Sequence, residues 1–80
     1  MKWYLVWCHE LGVRMADGLW LVACDHADAA CIWAWHEDAN SDYWIASRGY
    51  THVYVREDDD PPKELKITMQ PVDNYCACVV

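Results

Sequence analysis

Two short pairs in this chain carry side chains that bind soft metals: Cys24 with His26, and Cys76 with Cys78. Residues two apart on a strand share a face, and four such ligands would complete a tetrahedral zinc site. Neither pair has the spacing of the common zinc motifs, and His26 falls inside a predicted helix. Buried cysteines acting as small hydrophobes are the simpler reading, so no metal or cofactor is expected. Cys8 precedes His9, but strand neighbours point to opposite faces and cannot form a dyad. Cys8 could instead meet His52 across the sheet. Nothing resembles a nucleophile elbow, a phosphate loop or a catalytic carboxylate pair, so the sequence points away from an enzyme.

Charge and aromatic content point instead to contact chemistry. Six basic residues face thirteen acidic ones, a net charge of −7. A phosphate backbone or an anionic membrane repels such a chain, so direct binding to nucleic acid or membrane is not expected. A host protein or nucleoprotein complex with a basic surface attracts it. The acids cluster as Glu57, Asp58, Asp59 and Asp60, and as Glu37 and Asp38 with Asp42. Either cluster could be a solvated face; either could also imitate a row of phosphates and engage Arg or Lys. Six Trp and five Tyr, with no Phe, are more rings than one small core can use, so some are expected at the surface.

These residues are positioned by a strand that feeds straight into an alanine-rich helix, Leu19 to Asp38. Leu19 to Cys24 reads as a strand apolar on both faces. Asp25 supplies an N-cap oxygen and Asp28 a carboxylate in the first turn. The helix is predicted over about His26–Ala39, with Asn40 as C-cap. Ala27, Ala30, Cys31, Ala34 and Trp35 make one helical stripe, expected to be buried. Trp33 falls outside it, beside His26 and Glu37, as does Ile32, which makes Trp33 a candidate contact residue.

Lys2 to Glu10 alternates as a first strand, with Trp3, Leu5 and Trp7 opposite Tyr4, Val6 and Cys8. Gly12 and Asp17-Gly18 mark a hairpin loop. Ser41 to Gly49 fits a short helix with Ser41 as N-cap and Gly49 as a left-handed stop, in preference to a strand over Tyr43–Ala46. Tyr50 to Glu57 is a strand with Val53 and Val55 inward. Its other face carries Tyr50, His52 and Tyr54, a second candidate surface. Glu57 to Pro62 is a solvated acidic loop. Leu65, Ile67 and Met69 alternate along a half-exposed strand that Pro71 ends, and Tyr75 to Val80 forms a last strand.

Together these elements predict one α+β domain spanning residues 1–80. Its antiparallel sheet has the order β-β-α-β-β along the chain, with the first strand central and one main helix packed on one face. A right-handed crossover sets the third strand beside the first, and the fourth beside the third. The other face stays partly open. MKWYLVWCHE reads as a strand rather than a signal peptide, and no run approaches a membrane span. Five cysteines, an odd number, then suggest reduced thiols in a cytoplasm.

The strand, turn, LWLVACDHADAACIWAW and THVYVRE resemble the layout of small phage-encoded anti-CRISPR-type inhibitor proteins, over roughly residues 2–57. That resemblance implies inhibition by binding and identifies no site. The leading expectation is a small acidic cytoplasmic protein that inhibits a host nucleic-acid-handling complex by protein–protein contact. Trp33, Glu37, Asp38, Asp42, Tyr50, His52, Tyr54 and Glu57 to Asp60 are its candidate contact residues. A zinc-binding or redox module on Cys24, His26, Cys76 and Cys78 is a second reading. A structural protein that forms a homodimer through its open aromatic face is a third.

Overall fold

Alternation of apolar residues builds five strands: β1 (Lys2–Trp7), β2 (Leu19–Ala23), β3 (Tyr50–Glu57), β4 (Lys63–Gln70) and β5 (Asn74–Val79). The computed structural model describes residues 1–70 and 74–80. All neighbouring strands are antiparallel, in the order β2-β1-β3-β4-β5. The expected α+β class and the order second-first-third-fourth are observed. β5 adds beyond β4, however, so β3 rather than the first strand is the middle of the sheet. β1 still has a partner on each side, as its two apolar faces require. Pro71, expected to end the fourth strand, lies outside the described residues.

One face of the sheet carries Tyr4, Val6, Cys8, Leu21, Ala23, Val53, Val55, Leu65, Ile67 and Tyr75. These pack with Ala29, Ala30, Trp33 and Ala34 of helix α1 (His26–Asn40) and Ile45 of helix α2 (Trp44–Arg48). Three of those four α1 residues are alanines, which lets the helix lie close to the large strand side chains. Both helices therefore cover the same face.

Local chemistry sets the boundaries. At the start of α1, Asp25 accepts from the Asp28 N–H at 2.7 Å, and Asp28 accepts from the Cys24 N–H at 2.9 Å. This reciprocal pair satisfies two backbone donors and places negative charge at the positive end of the helix dipole. β1 stops at Trp7 rather than at Glu10. The β1–β3 register, continued, would set His9 against His52. Residues His9–Leu11 instead form a 3-10 turn, and the Glu10 carboxylate takes the His52 N–H at 2.9 Å. A side chain thus fills the ladder position that a longer strand would have used.

Gly18 differs from the hairpin glycine that the Asp-Gly pair suggests. Its φ of −71° is ordinary extended backbone. A Cβ there would sit 2.9 Å from both Leu5 Cδ1 and the Val6 carbonyl oxygen, so the residue is needed for space. Gly49 is the expected left-handed stop, with φ 97°. The start of α2 is a correction. Ser41 does not cap it; Tyr43, itself left-handed with φ 56°, precedes it.

Candidate interaction site

The orientation of α1 decides which of its rings meet solvent, and Asp38 sets that orientation. Its carboxyl group is fully buried. It accepts from the Ile45 N–H at 2.9 Å, the Ala46 N–H at 3.0 Å and the Tyr75 hydroxyl. A side chain from α1 thereby supplies the cap that α2 lacks locally. Asp38 is accordingly a core residue and not a contact acid, which corrects the expectation for it.

With Asp38 turned inward, the buried arc of α1 comprises Ala29, Ala30, Trp33, Ala34 and Asp38. At 100° per residue this arc is rotated by roughly 75° from the stripe that apolar periodicity alone favours. Trp33 and Trp35 exchange places as a result. Trp33 is 6% exposed and belongs to the core, whereas Trp35 is 65% exposed. Trp33 is therefore withdrawn as a contact residue.

The rotation leaves a second apolar stripe facing outward. Ile32, Trp35 and Ala39 fall at i, i+3 and i+7, nearly opposite Ala30 and Ala34, with the carboxylate of Asp28 one turn ahead of them. Beyond the helix end Tyr43 extends the stripe and is 58% exposed. A groove of two adjoining lobes, about 470 and 510 Å³, runs beside it. Cys31, Ile32 and His36 line one lobe, Tyr43, Ala46 and Met69 the other, and Trp35, Ala39 and Tyr75 are common to both. A helix apolar on two opposite sides is what a helix buried between two partners looks like, and only one partner, the sheet, is in place.

The segment that supplies most of the groove's lining is acidic, and Arg48, which ends α2, pairs with Glu10. Residues 24–47 contain Asp25, Asp28, Glu37, Asp38 and Asp42 and neither lysine nor arginine. Glu37 is half-buried and accepts from Ser41 Oγ at 3.2 Å and Trp44 Nε1 at 3.3 Å, and Asp25 and Asp28 hold the backbone donors of the α1 cap, which leaves Asp42 the least engaged of these charges. Asp42, exposed in the left-handed region, stands at one end of the groove and Asp28 near the other.

The second acidic cluster belongs to a different part of the molecule. Glu57 accepts from the Tyr4 hydroxyl at 3.1 Å and pairs with Lys2 at 3.5 Å. Asp58, Asp59 and Asp60 form the exposed β3–β4 turn, where Asp59 pairs with Arg56 at 3.5 Å. Tyr4 packs edge-on against His26 in the first turn of α1, so this cluster lies near one end of the helix. Glu37 and Asp42 lie by the other end, roughly 20 Å away along the axis. The two clusters do not form one acidic row.

Tyr50, His52 and Tyr54 share the open face, as expected from the alternation of β3. Their surroundings are cationic and aromatic more than acidic. Arg48 lies 4.4 Å and Lys66 5.3 Å from the centre of the Tyr50 ring. Glu10 pairs with Arg48 at 2.6 Å and His52 Nδ1 at 3.2 Å. Burial works to raise the Glu10 pKa, but the donors His52 N–H and Arg48 outweigh it and hold the carboxyl below its usual range. Tyr54 stacks on Trp7 with ring centres 5.6 Å apart. This face is therefore distinct in charge from the helical layer.

The proposed ligands of a metal do not converge. Cys24 follows β2 at one sheet edge, while Cys76 and Cys78 lie on β5 at the other, with three strands between. At ordinary strand spacing that is roughly 19 Å across the sheet. Among the described residues no group of three or more Cys, His, Asp or Glu is placed to hold a metal ion. No helix among them is long and apolar enough to cross a membrane.

No protein-family model, curated protein or solved structure matches the chain. Function is therefore argued from the site alone. Sequence reasoning missed Trp35 and Tyr43 because it ranked Trp35 as core and assigned Tyr43 to a helix. The available signal was the i, i+3, i+7 series from Ile32, a second stripe that the first one obscured.

Proposed function

We propose that this chain is a small acidic binding protein that inhibits a nucleic-acid-handling complex by occupying its basic surface. One observation carries the proposal: α1 presents an outward stripe of Ile32, Trp35 and Ala39, continued by Tyr43, within a segment holding four acids outside the core and neither lysine nor arginine. Partly exposed tryptophan and tyrosine beside a groove are the usual anchors of a protein interface. The acids select a partner whose apolar strip is bracketed by Lys or Arg, as nucleic-acid-binding surfaces are. Steering by charge brings the partner in, and the rings hold it.

Capture from a host lysate by wild type and by Trp35→Ser and Asp42→Lys chains, over a salt series, tests this reading. A protein retained by wild type, lost from both variants and released as salt rises fits it. Absence of any ligand that depends on Trp35 discards it.

A further inference from the structure

The two edges of the sheet are treated differently. At β5, Cys31 of α1 stands against the free edge, and its thiol donates to the Tyr75 carbonyl at 3.3 Å. At β2 nothing comparable exists. Among the described residues, Leu19–Ala23 make no backbone hydrogen bonds except those to β1. The strand has no charge, no proline and no bulge, the devices that normally blunt an edge.

Its outward side chains are also bare. Trp20 and Val22 lie on the open face with Trp3, and Trp20 and Trp3 are 51% and 56% exposed. The register sets Trp3 beside Val22 and Leu5 beside Trp20.

We propose that the free edge of β2 is a self-association site, where β2 of a second copy pairs antiparallel about a two-fold axis at Leu21. The sequence Leu19-Trp20-Leu21-Val22-Ala23 is self-complementary in that register. Trp20 meets Val22 of the second copy, an aromatic with a β-branched residue, and Leu19 meets Ala23. Each row across the junction then reads Trp3, Val22, Trp20 and Leu5 without a polar break, and the sheet continues through ten strands. A copy of this chain fits better than a charged partner, because β2 is an uncharged strip on a molecule of net charge −7. Two such molecules repel wherever their acids face, and this strip confines that contact to its two ends.

The size of the strip sets its strength. Trp3, Leu19, Trp20 and Val22 expose roughly 400 Å² per copy, so even buried in full they would give only about half of what a standard interface buries on each side. The pair is therefore concentration-dependent. Asp17 and Asp25 flank Leu21 at equal distances, so a two-fold pair sets like charges at both ends. Added salt strengthens it, opposite to the response of a basic partner on the helical layer.

Sedimentation equilibrium of the full chain with a thiol reductant, from about 1 to 500 µM, tests the proposal. The expected weight-average mass rises from 9.3 kDa towards twice that value. Trp20→Lys and Val22→Lys each move the midpoint at least about tenfold higher, and Trp35→Lys leaves it in place. Amide spectra of the variants check their fold. If either variant fails to fold, hydrogen exchange at the Trp20 and Val22 amides of wild type decides, because pairing slows it as concentration rises. A monomer throughout, a dimer that survives Trp20→Lys, one abolished by Trp35→Lys, or exchange indifferent to concentration overturns the proposal.

Discussion

The hydroxyl of Tyr75 donates to the buried carboxyl of Asp38, tying β5 to the last turn of α1 across 37 residues of sequence. The same carboxyl receives the N–H groups of Ile45 and Ala46 in the first turn of α2. One polar side chain thus joins three elements. Asp38→Ala would strand the Ile45 and Ala46 backbone donors and remove the acceptor of the Tyr75 hydroxyl, and at roughly 1–3 kcal/mol for each unmet backbone group the loss is expected to be about 2–5 kcal/mol. Tyr75→Phe removes a single donor and is expected to cost about 1 kcal/mol. Urea denaturation of the two variants checks the order; equal losses would contradict the capping role.

The two tryptophans of α1 make an opposite pair of predictions. Trp33→Ala empties part of the core and is expected to cost about 3–5 kcal/mol. Trp35→Ser lies on the outer stripe and is expected to change stability by less than about 0.5 kcal/mol. Thermal unfolding of both separates the observed rotation of the helix from its alternative, because the rotation favoured by apolar periodicity reverses the ranking.

This reversal shows where sequence reading stopped. Strand alternation placed all five strands and the lateral order of four, since the inward Val, Leu and Ile of each strand recur with period 2. Asp25 and Gly49 were legible because caps are local chemistry. Asp38 was not, because its burial depends on Ile45, Ala46 and Tyr75, which only the folded chain brings to it. An acidic residue with no visible partner is read as surface, and the whole helical face then turns with that error. Tyr50, His52 and Tyr54 were placed on one face by alternation alone. The Arg48, Lys66 and Glu10 groups around them come from other elements, so the charge of that surface was hidden.

Acid and alkali should each weaken the protein, for different reasons. The Tyr4 hydroxyl bond, partly offset by burial and aided by Lys2, holds Glu57 below its usual range, as the donors to Glu10 hold that group. Carboxyls lowered in the folded state contribute stability above an unfolded pKa of about 4.3, and lose it as pH falls through their lowered values. Glu10→Gln is expected to flatten that acid limb. Burial first, and then Glu57, push the Tyr4 phenol up to about 12. A raised folded pKa gives stability that is complete below an unfolded value of about 10 and is lost as pH rises towards 12. Urea midpoints across pH, with tyrosinate absorbance of wild type and Tyr4→Phe, check both limbs.

Glycine substitutions separate two causes in the loop between β1 and β2. Gly12 has φ 75° and open space around it, so Gly12→Ala meets only backbone strain, about 1 kcal/mol. Gly18 has an ordinary φ but no room, and Gly18→Ala must move Leu5 or the Val6 carbonyl. Leu5 can yield by changing rotamer, whereas the Val6 carbonyl belongs to β1 and cannot yield without disturbing the strand. The expected cost is about 1–3 kcal/mol, with the amides of Leu5 and Val6 shifting most in the spectrum. If Gly18→Ala cost less than Gly12→Ala, with β1 undisturbed, the close approach of that loop to the strand would not be what holds it there.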